Sequence, residues 1–333
     1  CIMLKVNRSQ SFLGALAFLL VTVGGASVEA AEGMFQLFAL PTKDLERSGL
    51  KVPVKKIVEL RKAVAQVGRG GSASFVSPHG LLVTNHHVAY SCLARLGATK
   101  AHQGLLERGY VAKDRAAELT CPGLDLHVVA RVQDVTKKVL EGLPKGTRRN
   151  YHRRHVKLKA QRAALRKACE AKGAGLSCKV TANNHGTSYT LTAYRRIRDV
   201  RLVYAPPKAL GKYGGDVDNW MFPRHTADFT YLRAYVDAKG RGAPHAAGNV
   251  PLKTPVYLEQ GRWGVKRGSL VLVMGFPGRT ARHVTSHGVR FHQTKRLRGT
   301  ISLLQGAAKA LAARTKVSAD AKRKYATLDA RLQ

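Results

Sequence analysis

The sequence predicts a mainly β protein with helical insertions, built on a β-barrel scaffold. Many short strand-like segments, separated by glycine and proline turns, occupy residues 68–275. A basic segment with helical periodicity interrupts them at about residues 136–172, and beyond Val284 the pattern is helical to Gln333. Numerous short strands that carry inserted helices are typical of such a barrel.

The first strand-like segment is a predicted hairpin. A glycine-rich stretch at residues 68–71 leads into an alternating pattern, and Pro78-His79-Gly80 is a turn signal between two short β runs. The helical segment that comes later is closed by Gly173 and Gly175. Further strands are predicted at residues 124–135, 188–194, 200–204, 228–236 and 270–275.

The first thirty residues have the layout of a secretory signal peptide. Lys5 and Arg8 precede an apolar stretch, and small residues follow it up to Ala30. We therefore expect a signal peptide over residues 1–30 and a periplasmic or secreted protein with no membrane span after cleavage. A membrane anchor is the alternative, although the apolar run is shorter than the roughly 20 residues that cross a bilayer.

Four cysteines follow the predicted signal peptide, an even set that export would allow to form disulfides. They are Cys92, Cys121, Cys169 and Cys178. Cys169 and Cys178 are close enough in sequence to tie a helix to the segment after it, although free buried thiols are an alternative. No Cys-x-x-Cys pair occurs, so a zinc ribbon has no support, and no metal site or cofactor is expected.

The composition is strongly basic, with 57 Lys and Arg against 20 Asp and Glu and a formal net charge of +37. Much of the excess lies in residues 137–172 and from Lys295 onward. Such charge attracts any polyanion, including DNA and anionic membranes, without identifying a function. No recognised nucleic-acid module accompanies it, so nucleic acid is not expected as a specific partner. Solvated helix faces explain the charge at least as well.

A candidate catalytic base follows the predicted hairpin, in Thr84-Asn85-His86-His87 at the end of a β run. Serine acyl transfer needs an imidazole to take the hydroxyl proton and a carboxylate to orient that imidazole. Adjacent residues of an extended chain face opposite ways, so only one of the two histidines can serve. The Thr-x-x-His spacing is similar to that of double-barrel serine peptidases. It selects His87 as the base and leaves His86 a structural role.

A candidate carboxylate lies in a long block further along the chain. Residues 214–233 read Gly-Gly-Asp-Val-Asp-Asn-Trp-Met-Phe-Pro-Arg-His-Thr-Ala-Asp-Phe-Thr-Tyr-Leu-Arg. Asp228 precedes an apolar strand, as the triad carboxylate does in double-barrel peptidases, and we expect it to pair with His87. For Asp216 and Asp218 a capping or turn role is plausible.

These blocks together resemble one peptidase family. Thr84-Asn85-His86-His87 and residues 214–229 are similar to motifs of the dipeptidyl-peptidase 7 and 11 family, family 46 of the serine peptidases. Further matching segments are Glu32-Gly33-Met34, Pro122-Gly123-Leu124, and residues 199–206 and 275–280. Because the matches cover nearly all of the chain after the first thirty residues, the sequence is identified as resembling the N-terminal part of a member.

The resemblance implies a chymotrypsin-like double β-barrel with a large α-helical domain inserted between the barrels. Residues 31–280 would form the first barrel, with the helical insertion at about 136–172, and residues 281–333 would begin the helical domain. It also implies an exported enzyme, a homodimer at full length, that removes dipeptides from the free N-terminus of peptide substrates. His87 would be the general base and Asp228 its orienting carboxylate.

The resemblance further implies a site for the substrate's N-terminal ammonium group. Asn219 would accept a hydrogen bond from it, and Trp220 would contact it through the backbone carbonyl or the ring face. A turn with a core aromatic is the alternative for these two residues. The Cys169 and Cys178 pair is similar to a pair found in relatives, which favours that disulfide.

The sequence departs from the family pattern in two ways. Val88 stands where members often carry Cys, and the partner Cys in the preceding glycine-rich stretch is also absent. No Gly-x-Ser-Gly nucleophile segment occurs, and Ser72, Ser74 and Ser269 lie in strand or turn contexts that fit poorly. In the family the nucleophilic serine belongs to the second barrel, beyond residue 333. A chain of these residues alone is therefore expected to be inactive.

Two other functions stay open at this point. One is a DegP-like periplasmic serine endopeptidase, because Ser77-Pro78-His79-Gly80 followed by Thr84-Asn85 resembles the hairpin of such enzymes. The Asp218-Asn219-Trp220 block argues against it. The other is a catalytically inactive binding protein. The substrate side chain beside the scissile bond is not predicted, since that pocket would lie in the second barrel.

Overall fold

The structure is a computed structural model, and an antiparallel β-sheet with eleven strands is its main feature. The sheet and the helices around it agree with the mainly β class expected from the sequence. The predicted signal peptide at residues 1–30 lies outside the described part of the chain. The described residues are 34–37, 39–68, 70–173, 175–215, 217, 221–278, 284–325, 328 and 332.

The strands are short and pair in an order that departs from their order along the chain. The sheet order is β4-β9-β10-β3-β2-β1-β6-β8-β7, with β5 pairing β9 and β11 pairing β10. The hairpin expected around Pro78-His79-Gly80 is the pair β2 and β3. The strands are β1 (Val64–Val67), β2 (Gly71–Phe75), β3 (Leu81–Thr84), β4 (Tyr110–Val111), β5 (Leu119–Thr120), β6 (Leu126–Asp134), β7 (Leu176–Asn183), β8 (Ser188–Ile197), β9 (Asp199–Ala205), β10 (Thr230–Val236) and β11 (Val250–Pro251).

Helices occupy several strand connections and the described residues after 285. They are α1 (Thr42–Arg47), α2 (Val54–Glu59), α3 (His86–Gly97), α4 (Leu105–Arg108), α5 (Thr136–Leu140), α6 (Tyr151–Glu170), α7 (Lys208–Gly211), α8 (Ser286–Phe291), α9 (Leu297–Val317) and α10 (Ala319–Lys324). Helices α5 and α6 lie within the segment where a helical insertion was expected. Among the described residues, no helix is both long enough and apolar enough to cross a membrane.

The main core forms where β10 lies between β3 and β9. Leu232 is in register with Leu82 on one neighbour and Leu202 on the other, and all three side chains are fully buried. A disulfide between Cys92 on α3 and Cys121, just after β5, joins α3 to the same region. Side chains alternate between the two faces of a strand, so one face of each of these strands supplies the core.

A second, smaller apolar cluster lies beneath α6, on the β6-β8-β7 part of the sheet. Its buried members include Val139 of α5, Val180 of β7 and Leu191 of β8. The disulfide between Cys169 and Cys178, the pair that the family resemblance implied, joins the end of α6 to β7. Helix α6 is thus held on the sheet by both apolar packing and a covalent bond.

Residues 270–275, which the sequence pattern predicts as a strand, do not form one in the described part of the chain. Leu270, Leu272 and Met274 pack against the apolar cluster of the first two helices, whereas Val273 is 70% exposed. The predicted strand is therefore wrong, although the side chains of this segment do alternate between the interior and solvent. Alternation decides only which side chains face inward, and a strand also needs a neighbouring backbone with which to pair.

Truncation of Leu232 should destabilise the fold strongly. We expect Leu232→Ala to lower the free energy of unfolding by about 2–5 kcal/mol, because it removes buried methyl groups and leaves a cavity between two neighbouring strands. Urea unfolding followed by circular dichroism measures this loss. Val111→Ala is the matched control, since Val111 is also on a strand but is 67% exposed, and it should change stability little. Equal losses in the two variants would contradict this description of the core.

Candidate active site

The segment that carries the two histidines changes from strand to helix just before them. Strand β3 ends at Thr84, whose hydroxyl donates to the Ser72 carbonyl oxygen at 2.8 Å. Asn85 is still extended, with φ −70° and ψ 147°, and α3 begins at His86. The expectation that the histidines lie on extended chain is therefore wrong. They still point in different directions, because successive residues of a helix are turned by about 100°.

His86 lies inside the protein. Its ring is fully buried and meets the ring of Tyr90 edge to face, with the centroids 6.1 Å apart. A Cβ atom at residue 211 would come within 2.6 Å of His86 Cγ, so Gly211 leaves the ring its space. Burial lowers the pKa of His86, and this effect outweighs the opposite influence of the Asp228 carboxylate. The ring is thus a neutral, packed group near neutral pH.

His87 lies at the surface and contacts Asp228, from which it is 141 residues distant in sequence. The distance from His87 Nδ1 to Asp228 Oδ2 is 2.7 Å, and the His87 backbone N–H donates to Oδ1 at 2.9 Å. The His87 side chain is 58% exposed. An ionised carboxylate only accepts hydrogen bonds, so Nδ1 carries the proton in this contact. The neutral ring then has its lone pair on Nε2, available as a proton acceptor.

Asn85 is a third member of this arrangement, and sequence reasoning did not select it. Its Nδ2 donates to Asp228 Oδ2 at 3.1 Å and to the Asp228 backbone carbonyl oxygen at 3.2 Å. Asn85 therefore holds both the side chain and the backbone of residue 228. The sequence feature that could have identified Asn85 is its position directly before the two histidines in the Thr-Asn-His-His segment.

The imidazole and the carboxylate shift each other's pKa in opposite directions. Burial raises the pKa of Asp228, but the hydrogen bonds from His87 and Asn85 outweigh burial, and the net pKa is lowered. The hydrogen bond to Asp228 raises the pKa of His87, against the effects of burial and of the Lys212 ammonium group. Each group therefore favours the charged form of the other, as expected for a close pair of opposite charges.

Val88, the residue after His87, packs directly against the glycine-rich stretch. A Cβ atom at residue 71 would lie 2.3 Å from Val88 Cγ1, so the valine requires Gly71 as its neighbour. The residue after the histidine is thus in contact with the glycine-rich stretch that leads into the hairpin. The absence of a side chain at Gly71 leaves room for the side chain of Val88.

Two of the three serines considered from the sequence, Ser72 and Ser269, have structural partners. Ser72 Oγ accepts a hydrogen bond from the Phe276 backbone N–H at 2.7 Å, and Ser269 Oγ accepts one from the Lys266 backbone N–H at 3.1 Å. None of the hydrogen bonds between described residues joins a serine hydroxyl to the His87 ring. Within the same residues, no group of three or more His, Cys, Asp or Glu side chains is arranged to hold a metal ion.

The residues expected to bind the substrate's ammonium group lie in a gap between described residues. Asn219 and Trp220 lie outside the described residues, as do Asp216 and Asp218. Phe222, which follows these residues in the sequence, is 94% exposed. The structure therefore brings together His87 and Asp228 and adds Asn85, while the roles of Asn219 and Trp220 stay predictions.

A surface imidazole that is hydrogen-bonded to a carboxylate, presented at the strand ends of an antiparallel sheet, is a type of site found in hydrolases. The Peptidase S46 family model matches residues 30–333. The chain belongs to the Peptidase S46 family, which confirms the resemblance seen in the sequence.

Curated relatives carry dipeptidyl-peptidase names. The chain is 38% identical over 285 residues to an Asp/Glu-specific dipeptidyl-peptidase of Shewanella putrefaciens, a match that covers 84% of this chain and 38% of that protein. It is 34% identical over 270 residues to dipeptidyl-peptidase 7 of Capnocytophaga gingivalis, with 79% of this chain and 37% of that protein covered. The chain thus spans well under half the length of these relatives.

A solved structure with a similar fold is Porphyromonas endodontalis DPP11 in complex with the dipeptide Arg-Glu. The TM-score is 0.75 at 29% sequence identity, and the match covers 87% of this chain and 42% of that one. The same protein in complex with substrate gives a TM-score of 0.72. The sheet and helices described above therefore have the arrangement found in one part of that protein.

The two adjacent histidines should titrate on opposite sides of the ordinary histidine pKa of 6.5. We expect the pKa of His87 to lie above that value and to fall in Asp228→Asn, because the substitution removes the carboxylate that stabilises the protonated ring. The pKa of His86 should lie below it in both proteins, since burial is the larger influence there. NMR of the ring nitrogens across a pH series measures both values.

His86 serves as the internal control in this experiment, because it reports any general loosening of the fold. A His87 pKa that is unchanged in Asp228→Asn would contradict the pairing, as would two histidines that titrate together.

Proposed function

We propose that the full-length protein is a serine dipeptidyl-peptidase that releases dipeptides from the free N-terminus of peptides. The observation that carries this proposal is the 2.7 Å contact between His87 and Asp228 in a chain of the Peptidase S46 family. The names of the curated relatives and the dipeptide bound to the solved DPP11 support this reaction and substrate class.

In the proposed mechanism His87 is the general base. Its Nε2 takes the proton of a serine hydroxyl as the serine oxygen attacks the carbonyl carbon of the second peptide bond, and it returns that proton to the leaving amine. A water molecule then hydrolyses the acyl-enzyme with the same base. Asp228 keeps Nδ1 protonated and stabilises the imidazolium ion that forms, while Asn85 and the His87 backbone N–H keep the carboxylate in place.

The nucleophile in this mechanism is a serine beyond residue 333, together with the oxyanion hole. The absence of a Gly-x-Ser-Gly segment and the existing partners of Ser72 and Ser269 support this. Residues 1–333 by themselves would therefore have the base and its carboxylate but no group to acylate, and would be inactive.

Recognition of the free N-terminus is assigned to Asn219 and Trp220 on the basis of the motif in which they lie. The Asn219 side-chain oxygen would accept from the substrate ammonium group, and the Trp220 carbonyl or ring face would stabilise its charge. Asp228 lies at the end of the same sequence block, so the ammonium site and the catalytic pair would be close together. That proximity would limit the product to a dipeptide.

The proposed architecture is a chymotrypsin-like double β-barrel, of which residues 31–280 form the first barrel and residues 281–333 begin an inserted α-helical domain. Helix α9 supports the assignment of residues 281–333 to a larger helical domain. It exposes Leu297, Ile301 and Leu304, and no described residue covers them. The full-length protein would be a homodimer in the periplasm or outside the cell, exported by a signal peptide at residues 1–30.

Hydrolysis of dipeptidyl fluorogenic substrates by the full-length protein tests the proposal. We expect cleavage of substrates with a free amino terminus but not of blocked ones. His87→Ala should lower kcat on the order of 10⁴-fold or more, because it removes the general base. His79→Ala is the matched control, since His79 is also an exposed histidine, lies in the β2–β3 turn, and should leave kcat unchanged.

The same panel separates the competing functions. Equal cleavage of blocked and free substrates would contradict the dipeptidyl-peptidase proposal and favour an endopeptidase. No cleavage of any member would favour an inactive binding protein.

Asn85 should affect turnover through the position of Asp228. We expect Asn85→Ala to lower kcat roughly tenfold to a hundredfold with KM nearly unchanged, because the side chain orients the carboxylate and does not contact substrate. Asn249→Ala is the control. Asn249 also donates to a carboxylate, that of Asp199, at a distance of 2.9 Å, and this pair is not in contact with His87 or Asp228. Steady-state kinetics and thermal unfolding are measured for both. A fall in kcat that merely follows the loss of stability in both variants would refute this role.

A further inference from the structure

A strongly basic surface surrounds helix α6. Residues 136–172 contain 13 Lys and Arg but only two Glu. Nine exposed cations in this segment make no side-chain hydrogen bond or ion pair with any described residue, and six of them are here called the basic face. These six are Lys145, Arg148, Arg149, Arg153, Lys159 and Lys167.

The basic face is held rigidly because the opposite side of α6 is already packed. Leu158 and Leu165 contact the apolar cluster beneath the helix, and the Cys169–Cys178 disulfide fixes its C-terminal end. Arg162, on the packed side, donates to the Val180 carbonyl oxygen at 2.9 Å. The two leucines of α6 thus pack inside the protein, and what faces solvent is mainly charge.

The cations near the start of α6 are placed unfavourably for the helix itself. Arg148, Arg149 and Arg153 lie around its N-terminal end, where the helix dipole is positive and anions are favoured. The first turn contains no acidic residue, and the side chain of Asn150 makes no cap hydrogen bond. An anion from outside the chain would offset this concentration of positive charge.

We propose that the basic face binds the phosphate headgroups of an anionic membrane surface and thereby holds the protein at that surface by electrostatic attraction. The helix has 20 residues and is therefore about 30 Å long. Arg153, Lys159 and Lys167 lie on its outer side and extend over about 21 Å, a spacing that can meet several headgroups at once. Binding is peripheral, because each cation adds to the attraction without any apolar segment inserting.

The shape of the basic face favours a membrane over a nucleic acid. Proteins that bind single strands use grooves in which aromatic rings stack on bases. The outer side of α6 is convex, and Tyr151, 72% exposed, already has its ring stacked on that of His155 with the centroids 6.3 Å apart. Tyrosine is a residue type enriched at membrane interfaces.

Cosedimentation of the full-length protein with lipid vesicles tests the proposal. We expect binding to vesicles of phosphatidylglycerol and phosphatidylcholine, no binding to phosphatidylcholine alone, and loss of binding as salt is raised. The triple variant Arg153→Glu, Lys159→Glu, Lys167→Glu should bind on the order of 100-fold more weakly. The control variant Lys100→Glu, Lys113→Glu, Arg115→Glu has the same net charge but alters exposed cations near β4, at the other end of the sheet order from β7.

The control variant should keep most of the vesicle binding, and circular dichroism verifies that both variants are folded. Equal weakening in the two variants would show that net charge alone is responsible and would overturn the proposal. It would likewise be overturned by salt-insensitive binding, by binding to phosphatidylcholine alone, or by tighter binding to duplex DNA than to the anionic vesicles.

Discussion

The pairing of β10 with β3 is the constraint on which the candidate site depends. Thr230 at the start of β10 is in register with Thr84 at the end of β3. The residues just before β10 and just after β3 therefore lie side by side. Asp228 thus meets the first turn of α3. A slip of one residue would turn the buried side chain of Leu232 toward solvent, so the core protects the register on which the His87 contact relies.

Asp228 is bound by the beginning of helix α3 as well as by an imidazole. The side chain of Asn85 makes no cap bond to the helix, and the backbone N–H of His87 donates instead to the Asp228 carboxylate. Free N–H groups and the helix dipole both favour a negative charge at this position. The same carboxylate thus completes the helix terminus and orients the ring, which explains how an ionised side chain only 20% exposed is stabilised.

The helix starting at His86 also accounts for the different environments of two adjacent histidines. One ring turns inward against Gly211 and is kept neutral by burial, while the other turns outward to Asp228 and is stabilised in its charged form. The sequence motif alone could select one of them, but its premise of an extended chain did not hold. Similarly, the apolar run at residues 270–275 predicted a strand that the structure does not contain, because the run carries no information about a backbone partner.

Local patterns were enough to predict the β2–β3 hairpin, the helices after Val284 and the helical segment before Gly173. Sequence motifs were enough to predict His87 and Asp228 as a candidate catalytic pair. Each of these depends on nearby residues or on motifs that can be read along the chain. The tertiary structure alone decided that His87 and Asp228 are 2.7 Å apart, that Asn85 joins them, and that Val88 fits against Gly71. Those contacts join residues that lie in different sequence segments. They exist only because strand pairing and core packing bring the segments together.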